Sequence, residues 1–302
     1  MTLTRLTSWE DVEAVFAEGS RTATQEERVA LLSDYYFDSG ERLEIDPFSD
    51  EYLEAMLRLH ATISGRSAYR AGTSELSPDL RNEATDLVAC PPPYGAGSSE
   101  LLGDFVIAWG FVLRTLALSP GQSVLEYGPG GGQLSIALAR NGCDVSVIDV
   151  EPAYVETIRG QCIALGVPIT AEVGEFGDVP EPGRRYDAVI FFEALHHSLR
   201  HNALLRRLHD VVEDGGVIAV AGEPIVEEGN VFEPTIPFAW GPRSDLLSLW
   251  AMRTHGWMEL GFRESYFYEA VARADWTAEK HECPLTFRGN TYVLRRSDGK
   301  AQ

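Results

Sequence analysis

The stretch Val124-Leu125-Glu126-Tyr127-Gly128-Pro129-Gly130-Gly131-Gly132, running directly into Gln133-Leu134-Ser135-Ile136-Ala137-Leu138-Ala139, decides the fold. An apolar pair leads into closely spaced glycines, and Leu134 and Leu138 then share a helical face, so the order is strand, tight turn, helix. Glycine lacks a Cβ, which admits positive φ and lets a ligand lie against the backbone. Free N–H groups at the helix start add donors and the positive end of a dipole. The spacing excludes a dinucleotide fingerprint: counted from Gly128, the third glycine of G-x-G-x-x-G would fall on Gln133. What stands instead is E-x-G-x-G-x-G, with Glu126, Gly128, Gly130 and Gly132.

The residues that follow keep the alternation of strand and helix. After Gly142, Asp144 to Asp149 is a buried strand ending in a carboxylate 17 residues beyond Gly132, where an acid can accept both hydroxyls of a ribose. Pro152 to Leu165 is the next helix, opened by its proline and stopped by Gly166. Ile169 to Val173 is a third strand, running into Gly174-Glu175-Phe176.

This constellation resembles the class I S-adenosylmethionine-dependent methyltransferases over roughly residues 96–302. The resemblance implies a doubly wound, Rossmann-like α/β fold with a seven-stranded, mostly parallel sheet. It also implies S-adenosyl-L-methionine as cofactor, contacted by Glu126, Gly128, Gly130, Gly132 and Asp149. By position in the motif, Glu175 would accept from the adenine amino group and Phe176 would lie along the base; the family usually carries Asp where Glu175 stands.

Composition bounds the partners. The 302 residues carry 25 basic and 46 acidic side chains, a formal charge of −21, which argues against nucleic acid or an anionic membrane as partner; a small-molecule acceptor is what the family resemblance implies. Cys90, Cys143, Cys162 and Cys283 form no C-x-x-C pair, so free thiols are expected. The N-terminus shows no secretory signal, and the longest apolar run, Leu101 to Leu118, is broken by Gly103, Asp104, Gly110 and Arg114. A soluble, cytoplasmic protein is expected.

Upstream of the core, residues 1–95 read as a helical cap segment. Ser8 caps a first helix ending at Gly19, and Thr24 with Glu27 forms a capping box for a second that carries Val29, Leu32, Tyr35 and Tyr36. Asp50 to Ser64 is a third, before Gly65. Pro91-Pro92-Pro93-Tyr94-Gly95 marks the boundary, and Ser98 to Leu118 is the amphipathic helix that opens a domain over 96–302. The family resemblance implies that the first segment covers the cofactor and shapes the acceptor pocket; the alternative is that it only completes the core.

Beyond the cofactor half, Tyr186 to Phe192 is strand four, with Glu193-Ala194-Leu195-His196-His197 at its carboxyl end. Leu204, Leu205, Leu208, Val211 and Val212 mark a helix ended by Asp214-Gly215-Gly216, and strand five, Val217 to Ala221, leads to Gly222-Glu223-Pro224. Ile225 to Asp245 is an insertion expected to fold over that edge. A helix over Ser244 to Arg253, another over Ser265 to Arg273, and an antiparallel hairpin of Trp276–Glu279 with Asn290–Arg296 complete the chain.

Ligands of doubly wound sheets gather at the carboxyl ends of the strands. A sulfonium already activates its methyl group, so the protein must align the acceptor and, for an aliphatic hydroxyl, take its proton. Histidine titrates in the right range, and a carboxylate on its other nitrogen fixes the tautomer. His197 is therefore the candidate base with Glu223 as its orienter, and His196 the substitute; the alternative has His196 as a packed, capped residue and Glu223 paired with Arg243. Some sugar O-methyltransferases of this fold resemble this arrangement, which implies a sugar or glycosylated metabolite as acceptor. An N-methyltransferase of a small amine and a non-catalytic binding domain are the other readings. Glu193 is a further cofactor-pocket candidate, Tyr69, Tyr94 and Trp240 are candidates for an apolar acceptor wall, and no residue spacing points to a metal.

Overall fold

The computed structural model of the chain describes residues 3–77, 87–94 and 98–297. The expected boundary residue Gly95 and the middle of the irregular stretch, residues 78–86, lie outside the described residues. From the N-terminus the elements are β1 (Thr4–Leu6), α1 (Trp9–Gly19), α2 (Gln25–Leu32), β2 (Tyr35–Phe37), α3 (Asp50–Ser64) and the short α4 (Ala71–Ser74). There follow α5 (Ser99–Leu116), β3 (Ser123–Tyr127), α6 (Gln133–Arg140), β4 (Asp144–Asp149), α7 (Pro152–Leu165), β5 (Ile169–Val173), β6 (Tyr186–Phe192), α8 (His201–Arg207) and β7 (Val212–Ala221). The chain ends with β8 (Ile225–Val226), β9 (Trp240–Pro242), α9 (Leu246–Thr254), β10 (Leu260–Arg263), α10 (Glu264–Arg273), β11 (Trp276–His281) and β12 (Thr291–Arg296).

Helix starts follow the capping chemistry of the sequence. The side chains of Ser8, Thr24, Ser49 and Ser98 each accept from the backbone N–H three residues on, and Glu27 completes a capping box with Thr24. Two assignments change. Tyr35 and Tyr36 do not continue α2: they form β2, which pairs in parallel with β1 in a segment expected to be helical throughout. Val212 does not end a helix either. α8 tightens into a 3₁₀ turn at Leu208–Asp210, and β7 begins at Val212, opposite Tyr186. The Gly215-Gly216 pair that looked like a helix stop sits in an irregularity of β7. A Cβ on Gly216 would come within 2.9 Å of the Asp187 carbonyl, so this position serves the close approach of two strands.

The chain divides into two compact units, Met1–Glu75 with Pro224–Phe267, and Leu76–Glu223 with Tyr268–Gln302. The boundary expected between residues 95 and 96 thus falls at Glu75, and the insertion after β7 belongs with the N-terminal segment. The packing explains why. Val12, Phe16, Leu32, Phe37 and Ile63 share one apolar core with Leu246, Leu249 and Met252. Tyr52 on α3 donates its hydroxyl to the Trp240 carbonyl at 2.9 Å, and β8, β10 and β9 form a three-stranded sheet within the same unit. Neither half of this unit buries its apolar face without the other.

The second unit holds the seven-stranded sheet, in the order β11-β12-β7-β6-β3-β4-β5. β5, β4, β3, β6 and β7 are parallel, and β12 runs antiparallel to both β7 and β11. Val189, Ile190 and Phe191 of β6 are fully buried, as strands covered on both faces must be. From β3 the chain winds outward through β4 and β5, then returns to place β6 on the other side of β3. The switch point therefore lies between β3 and β6. Among the described residues no helix is long and apolar enough to cross a membrane.

Candidate active site at the switch point

The loop after β3 uses its glycines for different purposes. Gly128, Gly130 and Gly132 have φ of 64°, 52° and 76°, where a side chain is strained. A Cβ on Gly128 would lie 2.9 Å from the Ala194 Cβ, and one on Gly132 would lie 2.6 Å from Cγ1 of Ile158 on α7, so both are packed shut. Nothing lies within 4 Å of a Cβ placed on Gly130, which faces open space. Of the three, Gly130 is the one whose missing side chain leaves room for a ligand.

Gly131, which the alternating motif passed over, has an equally strict role. A Cβ there would meet the Pro92 carbonyl at 2.7 Å and Pro91 Cβ at 3.0 Å, so the Pro91–Pro92 segment rests directly on the loop. The Gly131 carbonyl accepts from the amides of Gln133 and Gln161 at 3.0 and 2.9 Å. The signal in the sequence was the middle glycine of three in a row; Pro91 and Pro92 lie 40 and 39 residues upstream, beyond the reach of any local pattern.

The two strand-end acids are both buried. Glu126 accepts from the Ser135 hydroxyl one helical turn into α6, and burial pushes its pKa up to about 7. Asp149 accepts from the Glu151 N–H at 2.8 Å and from the Gly130 N–H at 3.3 Å, and burial pushes it up to about 6. Asp149 is thus tied to the one open glycine, and its two oxygens have lone pairs beyond those two bonds. Phe176 packs edge-on against Tyr127 and Phe191 and touches the Gly128 position, closing the floor of the loop. Glu175 is exposed, its N–H bonded to Asp178.

Across the switch point, the carboxyl end of β6 turns through a 3₁₀ segment, Leu195–His197, and Glu223 organises it. One carboxylate oxygen of Glu223 accepts from the N–H groups of Ala194 and Leu195 at 2.8 and 2.7 Å. The other accepts from the N–H of His196 at 3.0 Å and stands 2.8 Å from its Nδ1. The expected pairing of Glu223 with His197 is therefore corrected to His196. Residue 196 follows the capped amides directly and its ring folds back onto the same carboxylate, while His197 lies beside that ring at 4.2 Å between centroids. Arg243 pairs with Glu259 at 2.8 Å within the other unit. Burial would raise the Glu223 pKa, but the His196 ring and the turn amides outweigh it and hold the carboxyl below its ordinary value. An ionised Glu223 can only accept, so Nδ1 of His196 is a donor, and in the neutral tautomer that this fixes Nε2 is the acceptor.

Glu193, three residues before His196, takes φ of 49°, strained for a residue with a side chain. Its side chain runs toward Gly222 and forms an ion pair with Arg288 of the β11–β12 loop. Burial raises the Glu193 pKa and Arg288 opposes the rise. Glu193 thus faces the β7 side of the mouth. Arg288 was missed in the sequence because 95 residues separate it from Glu193. Of the proposed acceptor wall, Tyr94 is half-exposed near Trp109. Trp240 is buried with its indole N–H on the Pro47 carbonyl, and Tyr69 donates to Glu75; both belong to the other unit.

Residues 124–216 match the family model of a methyltransferase domain, and that span holds the glycine loop, Asp149 and the His196 turn. The seven-stranded order and the switch-point site decide the architecture. The fold is that of a class I methyltransferase. The solved structure of PigF with SAH is similar, with a TM-score of 0.53 and 19% identity over 82% of this chain and 68% of that one. In sequence, the chain is similar to the ubiquinone biosynthesis O-methyltransferase of Xanthomonas campestris pv. campestris, 34% identical over 36% of this chain and 45% of the relative. It is also similar to the protein-L-isoaspartate O-methyltransferase of Methylorubrum populi, 30% identical over 44% of this chain and 59% of the relative. The chain spans less than half the length of the ubiquinone-pathway relatives it matches.

Proposed function

We propose that this protein is an S-adenosylmethionine-dependent methyltransferase that O-methylates a small hydroxylated molecule, a sugar or glycosylated metabolite, with His196 as general base. The observation that carries the reading is the Glu223–His196 pair at the carboxyl end of β6, across the switch point from the open Gly130. An imidazole whose tautomer is set by a buried carboxylate is the arrangement a general base needs. A free amine acceptor would need little help from one. The names of both groups of relatives speak for transfer to oxygen.

The loop fits the cofactor: Gly130 leaves room against the backbone, Asp149 offers acceptor capacity beside it, and Phe176 supplies an apolar edge. S-adenosylmethionine, when bound, supplies a methyl group already activated on sulfur and leaves as the neutral thioether. The chain's own residues do the rest. Asp149 and the glycine loop would hold the nucleoside, and Nε2 of His196 would take the proton of the acceptor hydroxyl. Glu223 holds the resulting imidazolium in place. A labelled-methyl assay over a panel of hydroxylated acceptors tests the reading. Transfer to an oxygen that is lost in His196→Ala supports it, and transfer to nitrogen unaffected by that substitution would replace it with the amine reading.

A further inference from the structure

We infer that Arg288 anchors the acceptor, its guanidinium receiving a carboxylate or similar oxyanion on the same molecule whose hydroxyl is methylated. The inference rests on the methyltransferase reading above and adds the chemical class of the acceptor.

Arg288 lies at the mouth of the site. Its carbonyl stands 3.0 Å from the place a Cβ would take on Gly222, the residue before Glu223, and its guanidinium pairs with Glu193, three residues before His196. The guanidinium lies 4.8 Å above the Phe105 ring and 5.4 Å from the Phe287 ring. It is 24% exposed and Glu193 23%, so the pair is largely removed from water yet reachable.

A guanidinium presents five N–H donors in a rigid plane. Among the described residues Glu193 is the only side chain that accepts from this one, through Nη1, which leaves Nε and Nη2 to be satisfied at a half-dry surface. The Phe105 and Phe287 rings lie against the guanidinium, and the in-plane edge of the fork is the direction in which a carboxylate binds with two parallel bonds. Glu193 holds Arg288 at the cost of a left-handed backbone, strain of the kind retained at ligand clamps. In a chain of net charge −21, an anion finds little general attraction, so an oriented arginine paired with Glu193 is a selective device. A hydroxyl-only acceptor would leave those donors unused.

The test is calorimetric and uses the full chain. S-adenosylhomocysteine is titrated first; if it does not bind, the methyltransferase reading itself fails, whatever Arg288 does. Into the loaded protein go two matched pairs of probes, 3,4-dihydroxybenzoate with catechol and glucuronate with glucose. The acid of at least one pair should bind about tenfold tighter than its neutral partner, and R288Q should abolish that preference while S-adenosylhomocysteine still binds. R288K keeps the charge without the fork and should retain only part of the preference, which decides the matter if R288Q does not fold. Equal affinity within both pairs, no binding by either acid, or an undiminished preference in R288Q or R288K overturns the anchor.

Discussion

Glu223→Gln changes one heavy atom and should disable the site. The carboxylate accepts four bonds: Ala194 N–H at 2.8 Å and Leu195 N–H at 2.7 Å on one oxygen, His196 N–H at 3.0 Å and His196 Nδ1 at 2.8 Å on the other. A glutamine keeps one oxygen, which can still serve Ala194 and Leu195 as weaker neutral bonds. Its NH₂ group then faces the His196 N–H, donor against donor, and can be relieved only at the ring, where Nδ1 must become an acceptor. The proton moves to Nε2, the position that has to be empty to take the acceptor's proton. Hydrogen bonds to a charged group contribute about 1.5–3 kcal/mol each, so losing the His196 N–H bond outright and exchanging the ring bond for a neutral one of about 1 kcal/mol predicts about 2–5 kcal/mol lower stability and a Tm lower by about 4–20 °C. The wrong tautomer predicts a fall in kcat of about 10²–10⁴ with the affinity for S-adenosylhomocysteine little changed. Methyl-transfer kinetics give the first quantity and ¹⁵N chemical shifts of the imidazole give the tautomer directly. Transfer within about threefold of wild type, or shifts showing Nδ1 still protonated, would refute the reasoning.

Four further outcomes can be checked on the same protein. His196→Ala should cost about 10²–10⁴ in kcat and be non-additive with Glu223→Gln, while His197→Ala should keep transfer within about tenfold of wild type; the reverse order would restore His197 as the base. Gly130→Ala meets no atom within 4 Å and should lower stability by about 1–2 kcal/mol yet weaken S-adenosylhomocysteine at least about tenfold, because its Cβ enters the ligand space. Gly132→Ala drives a Cβ to 2.6 Å from Ile158 at φ of 76° and should cost about 2–5 kcal/mol, read from thermal melts of the two variants side by side. In the absence of ligand, burial holds the Glu126 pKa at about 7, above its unfolded value, so its protonated form favours the folded state below about pH 4.5 and that contribution fades as pH rises through about 7. Glu126→Gln, which mimics the protonated form, should therefore gain up to about 3 kcal/mol on wild type between pH 4 and pH 8 in urea melts; parallel pH profiles would show that Glu126 is ionised when folded.

Much of the second unit was legible because its signals are local. A parallel strand buried on both faces must be a short apolar run, a helix packed on it must repeat every three or four residues, and the turns between them need glycine, proline or a capping oxygen. Those constraints act within a dozen residues, so β3 through β6, α6, α7, their caps and the position of Asp149 follow from the sequence alone. So does the chemical meaning of an acid and a histidine pair at neighbouring strand ends. The partnerships do not follow. Whether Glu223 takes His196 or His197 depends on how tightly the turn after β6 closes on that carboxylate. That Gly132 packs on Ile158, Gly131 under Pro91–Pro92 and Gly130 on nothing depends on segments brought from elsewhere in the chain. Arg288 reaches Glu193 across 95 residues, and α9, beyond the insertion after β7, shares a core with helices of the N-terminal segment, contacts that no local pattern announces. Local backbone chemistry wrote the elements into the sequence; the meeting of distant side chains, which selects one histidine, one open glycine and one arginine, is settled only when the sheet is assembled.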